Sequence, residues 1–163
     1  MDLNLLLIRH AKSSWSNPNL SDYDRPLNNR GNTNAPLMGQ RIKDYKINLD
    51  LIISSSANRA LATAELIAKE LSFDESKLIS EPRLYHASRD IFIEILSSQS
   101  AKSIAMVGHN PGIQDFSYWL CSEPTKNFST CGVIYISFKL DDWSDMYRNC
   151  GKFETFEYPK LFK

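Results

Sequence analysis

The chain has 163 residues, 42% of them hydrophobic and 23% charged, a composition that suits a single globular domain and excludes a disordered or low-complexity chain. Its 19 Lys and Arg balance 19 Asp and Glu, for a formal net charge of zero. That lacks the positive excess of a bulk nucleic-acid binder. In chain order, Leu3 to Ile8, with the apolar run Leu5-Leu6-Leu7-Ile8, reads as a buried strand closed by Arg9-His10. Residues 17–31 are rich in Asn, Asp, Ser and Pro and read as a loop. A helix is predicted over Asn32 to Lys46, with Pro36 in its first turn. Asp50 to Ser54 reads as a second strand. Ala57 to Leu71 reads as a helix with Leu61, Ala64, Ala68 and Leu71 on one face. Leu78 to Glu81 reads as a third strand cut off by Pro82, and Ser88 as the cap of a helix carrying Ile91, Phe92, Ile95 and Leu96. Ser103 to Val107 is a further buried strand, Gly112 to Leu120 a helix, and Val133 to Phe138 and Phe153 to Tyr158 two late strands.

Strands alternating with helices imply a three-layer α/β/α sandwich around a mostly parallel sheet. Ligands bind such sheets beyond the carboxyl ends of the strands. Arg9-His10, Ser54 to Arg59, Pro82 to His86 and His109-Asn110 all follow predicted strands there, whereas the acidic residues fall mostly on helices and loops elsewhere. His10, His109, Arg9 and Arg59 would converge at one edge. Two guanidinium forks and two imidazoles suit a dianion: arginine matches phosphate oxygens, and histidine can be a nucleophile, a proton donor or a charge stabiliser.

The segment Leu6-Leu7-Ile8-Arg9-His10-Ala11 resembles the first signature of the histidine phosphatase, or phosphoglycerate mutase-like, superfamily. Ser55-Ser56-Ala57-Asn58-Arg59-Ala60-Leu61-Ala62-Thr63-Ala64 is similar to its second signature, and Val107-Gly108-His109-Asn110-Pro111-Gly112 to its third. Asp24-Arg25-Pro26-Leu27-Asn28-Asn29-Arg30-Gly31 resembles the SixA-like branch, small phosphohistidine phosphatases without the inserted lid of larger relatives. The resemblance implies one phosphoglycerate mutase-like domain over residues 1–163 and a phosphatase working through a covalent phosphohistidine. His10 would be the nucleophile, Arg9 and Arg59 would hold the phosphoryl oxygens, and His109 would donate to the transferring group. No metal or other cofactor is implied, since arginine and histidine supply the charge.

Several positions depart from the family pattern. The glycine after the first histidine is Ala11. The asparagine that often follows the tryptophan is Ser16, with Asn17 one residue on, and either residue is a candidate phosphate contact. Where larger relatives carry a general-acid Glu, Arg83-Leu84-Tyr85 is followed by His86, which is either the proton donor or a surface histidine. Arg25 either reaches the pocket or is a solvated loop residue. Ser55 reads as a helix cap, Trp15 as a packed residue, and Tyr118 and Trp119 as core or half-core. The expected partner is a phosphorylated protein, through its phosphohistidine, or a small phosphorylated metabolite. A phosphomonoesterase of the same fold and a non-catalytic phosphate-binding module are the alternatives. The three cysteines, Cys121, Cys131 and Cys150, have neither metal-ligand spacing nor a disulfide framework. No apolar run is long enough to span a membrane and no signal-peptide pattern is visible, so a cytoplasmic protein is expected.

Overall fold

The computed structural model describes residues 2–163. Six strands form one sheet in the order β3-β2-β4-β1-β5-β6. They are β1 (Leu3–Arg9), β2 (Leu51–Ser55), β3 (Leu78–Glu81), β4 (Ser103–Gly108), β5 (Val133–Phe138) and β6 (Gly151–Glu157). The helices are α1 (Asn29–Lys43), α2 (Asn58–Glu70), α3 (Arg89–Ser97) and α4 (Gly112–Cys121). Strands β1 to β4 run parallel, and β5 and β6 are added antiparallel to their neighbours.

The run Leu5-Leu6-Leu7-Ile8 in β1 is apolar at every position because both faces of the strand are covered there. Leu3, Leu5 and Leu7 face a cluster with Phe92 and Ile95 of α3 and Phe116 and Leu120 of α4. Leu6 and Ile8 face the opposite cluster, with Met38 and Ile42 of α1 and Ala60, Ala64 and Ile67 of α2. The three-layer expectation therefore holds. The helices α1 and α2 lie on one face, and α3 returns the chain over the other to lay β4 between β1 and β2.

Several boundaries differ from the sequence expectation. Helix α1 begins at Asn29, three residues early, because Asn28 is its cap: the Asn28 side chain accepts from the Gly31 N–H at 2.9 Å. Pro36 consequently lies inside the helix, not in its first turn. It lacks the N–H that would bond the Asn32 carbonyl, a loss borne by the packing of Ala35 and Met38 in the core. The buried face of α2 is centred on Ala60, Thr63, Ala64, Ile67 and Ala68, with Leu61 and Leu71 only half-buried. Ser88 occupies the N-cap position of α3, but its side chain makes no capping bond. Instead its carbonyl accepts from the Ile91 and Phe92 N–H groups. Tyr118 is exposed, not core, while Trp119 packs partly against the cluster under α4. Among the described residues no helix is long and apolar enough to cross a membrane.

Candidate active site

Strand pairing assembles the site. Arg9 lies opposite Gly108 in the parallel β1–β4 ladder, so the residues that follow, His10 and His109, emerge side by side. The His10 N–H donates to the Gly108 carbonyl at 3.1 Å, and the two imidazole centroids stand 5.1 Å apart. On the other side of β4, Ser54 pairs with Val107, which places Ser55 against His109. Strand β3 then delivers Tyr85 and His86 next to the same edge. Gly112 allows α4 to start close to that segment, since a Cβ there would meet the Ala87 carbonyl at 1.8 Å.

His10 is 8% and His109 5% exposed. Nδ1 of His10 lies 2.8 Å from the Ala11 carbonyl, which can only accept, so Nδ1 carries the proton and Nε2 keeps its lone pair. Burial pushes the His10 pKa down to about 4. The guanidinium groups of Arg59, Arg9 and Arg25 push it the same way. Burial also lowers His109 to about 3, helped by the charges of His10 and Arg59. Nε2 of His109 is 2.8 Å from Ser55 Oγ, and its buried Nδ1 has no partner. Both rings are therefore neutral near pH 7.

The helix α2 braces the loop that follows His10. Thr63 Oγ1 accepts from the Ala11 N–H at 2.9 Å and donates to the Arg59 carbonyl at 2.7 Å. Arg9 donates from Nη1 to the Phe128 carbonyl at 2.9 Å, while its buried Nε is unpaired. The Cys131 N–H, in the loop before β5, donates to the carbonyls of both Arg9 and His10.

Asp22 is the residue that sequence reasoning missed. It sits in a single 3-10 turn within the loop before α1, and its Oδ2 accepts from Arg59 Nη2 at 3.0 Å and from the Tyr85 hydroxyl at 2.6 Å. Oδ1 accepts from Arg25 Nε and Nη2, and the Asp22 carbonyl accepts from Arg59 Nη1 at 2.6 Å. The Tyr85 hydroxyl, with Arg25 and Arg59, holds the Asp22 carboxyl far below the usual carboxylate range. The acidic residues are expected mostly on helices and in loops away from the site; Asp22 does lie in the predicted loop, and the fold carries that loop to the cationic edge. An isolated Asp among Asn, Ser and Pro has no periodicity to mark it. Its only sequence signal is the three-residue spacing to Arg25.

The other candidates divide. Arg25 is 7% exposed and bonds Ser13 Oγ at 2.6 Å, which excludes a solvated loop arginine. Its guanidinium lies 3.5 Å over the Trp15 ring. Trp15 itself is 74% exposed, contrary to the packing expectation, because the arginine covers one face and solvent the other. Ser16 is exposed and bonds only Ser14, so the structure does not bring it to the histidines. Ser55 is not the α2 cap, a position held by Ala57. Its Oγ accepts from the Ala57 N–H and meets His109. His86 is exposed, in the left-handed region at φ 57°, with its ring centroid 3.9 Å from that of Tyr85 and 6.4 Å from that of His109. Its Nε2 is 3.9 Å from Asp22 Oδ2. Among the described residues no three His, Cys, Asp or Glu side chains cluster as a metal site.

The pKa shifts set an expected acid response. Above about pH 6.5 the two rings are neutral in both folded and unfolded chains, so their contribution to stability is complete there. As pH falls below that value the unfolded chain takes up protons first. Stability is then lost progressively down through the folded values of about 4 for His10 and about 3 for His109. Imidazole NMR at pH 5 should find both rings neutral. Titration of either near 6.5 would contradict the buried geometry.

A parallel sheet edge bearing two neighbouring imidazoles, with three guanidinium groups acting on them, defines the class: an α/β protein with a cationic site at the carboxyl edge of its sheet. The model of the histidine phosphatase superfamily (branch 1) matches residues 5–88, and the chain belongs to that superfamily. Membership supports phosphatase activity. A chloroplastic protein of Arabidopsis thaliana, uncharacterized in function, is 27% identical over 157 residues, covering 90% of this chain and 72% of that protein. The fold is SixA-like. A putative phosphohistidine phosphatase SixA from Agrobacterium tumefaciens superposes with a TM-score of 0.81 at 24% identity, covering 96% of this chain and 98% of the other. The protein histidine phosphatase SixA complexed with tungstate gives 0.83 at 22% identity, covering 99% and 100%. The chain spans less than half the length of the phosphoglycerate mutase and serine/threonine phosphatase relatives it also matches.

Proposed function

We propose that the protein is a cytoplasmic, single-domain phosphatase that removes phosphoryl groups from phosphohistidine in proteins through a covalent intermediate on His10. In this reading His10 Nε2 attacks phosphorus as the bond to the leaving nitrogen breaks, the substrate ring takes up a proton and departs as neutral imidazole, and water then hydrolyses the new N–P bond to release inorganic phosphate and free His10. Arg9 and Arg59 hold the oxygens, with Arg25 adding positive charge, and His109 stabilises the transferring group through its unpaired ring nitrogen. The three cysteines being unpaired is consistent with a reducing compartment.

One observation carries the choice of substrate. The Asp22 carboxylate accepts hydrogen bonds from Tyr85, Arg25 and Arg59, which favour its ionised form and leave it no proton to give. An alkoxide leaving group approaches the basicity of hydroxide, with water's pKa at about 15.7, and needs a strong proton donor. Imidazole, with a conjugate-acid pKa of about 6.5, departs with far less help. His86, beside Tyr85 at the rim, is the proton donor in this account. Purified protein given a phosphohistidine peptide and an alkyl phosphomonoester should turn over the peptide by far the faster. Equal rates would select the phosphomonoesterase, and no turnover of either would leave the phosphate-binding module.

A further inference from the structure

Against Arg9, the residue before His10, lies a cleft of about 370 Å³. Arg9, Lys12, Arg30 and Lys160 line it, and no carboxylate does. Among the described residues none of these four cations makes an ion pair. Asn34 also opens on the cleft. It is 4% exposed, and its buried Oδ1 has no hydrogen-bond partner. Buried polar atoms ordinarily find partners, and a wall of one charge sign concentrates field on whatever enters. The chain as a whole is neutral, so this excess is local.

The cleft does not end at Lys160. Asn127, Ser129 and Tyr158 line both it and a second groove of about 490 Å³. The second groove is walled by Pro124, Phe153, Phe156 and Leu161, of which Phe153 and Leu161 are exposed. Glu123 and Lys126 offset one another there. Moving outward from Arg9, the surface therefore passes from the phosphoryl site to a cationic cleft and then to an apolar groove.

We propose that this continuous surface is a docking groove for the substrate protein. An acidic segment flanking the phosphorylated residue lies along Lys12, Arg30 and Lys160, and an apolar side chain beyond it enters the groove at Phe153 and Leu161. The inference rests on the protein-phosphatase reading and deepens it. A polypeptide is favoured over a small bisphosphorylated molecule because the two grooves share a wall. An extended chain fills both, whereas a compact polyanion would leave the apolar half empty.

The test compares wild type with an Arg30→Ala/Lys160→Ala variant, two exposed positions outside the phosphoryl site. Phosphohistidine peptides with Asp/Glu or Lys/Arg flanks are the substrates, and p-nitrophenyl phosphate is the small reference. Wild type should prefer the acidic flank by about tenfold, the scale of two exposed charge contacts. The double variant should lose that preference through KM and keep its activity on p-nitrophenyl phosphate. A preference unchanged in the variant, or absent in wild type, overturns the proposal. If no phosphohistidine peptide is cleaved, the protein-substrate reading fails by itself. Fluorescence anisotropy of the unphosphorylated acidic peptide then decides the groove. Binding lost in the double variant supports it, and no binding to wild type, or displacement only by a small bisphosphate, rejects it.

Discussion

Replacing His10 by Asn is expected to reduce turnover on the order of 10⁴-fold or more, the scale seen when a nucleophile is removed. One hydrogen bond prepares His10 for this role. The Ala11 carbonyl accepts from Nδ1 at 2.8 Å, which fixes the tautomer and frees the Nε2 lone pair. Burial and three guanidinium groups lower the ring's pKa to about 4, so the lone pair is not lost to a proton at neutral pH. Asparagine keeps a polar group of similar reach but no nucleophilic nitrogen. His10→Asn should also remain folded, because the Cys131 and Gly108 bonds to this segment use only the backbone. Steady-state rates, read beside a denaturation curve, check both halves. A variant retaining activity within tenfold of wild type would remove His10 from the chemistry.

Arg59→Ala is expected to lower kcat/KM by about 10² to 10³, the cost of deleting one charge-stabilising donor from a water-poor site. Arg59 is 5% exposed and enters from the first turn of α2, where Thr63 ties its carbonyl to the Ala11 N–H of the loop after His10. Its two terminal nitrogens are held by the Asp22 carbonyl and carboxylate. Asp22 thus aims a guanidinium that a planar fork can fill and an ammonium cannot. Arg59→Lys should therefore recover only part of the loss, although it keeps the charge. Full recovery by lysine would mean that charge alone matters at this position.

Much of this site could be read from the sequence because it is built at strand ends. The apolar run of β1 and the buried run of β4 mark parallel strands, and parallel strands bring His10 and His109 to one edge by register. Arg59 was legible for the same reason, one short turn after β2. Residues in the long loop before α1 were not. Asp22, Arg25 and Trp15 owe their positions to each other and to Tyr85, and contacts between loop residues 63 apart leave no local pattern. The exposed Trp15 ring shows the same limit: tryptophan is usually buried, but here a buried arginine lies across it. The start of α1 was misplaced because a run of Asn that reads as loop also contains a cap.

The zero net charge also takes on a structural meaning. Arg25 and Arg59 are matched by Asp22, whereas Arg9, Lys12, Arg30 and Lys160 face a cleft without acids. The balance is thus a sum over an uneven surface.

The central claim is a covalent phosphoryl group on His10. Rapid-quench reaction of wild-type protein with a phosphoryl donor labelled in phosphorus tests it most directly. Alkali-stable, acid-labile label should appear during the first turnover, map to the peptide containing His10 and be absent from His10→Asn. Turnover without such label, or label on any other residue, would contradict it.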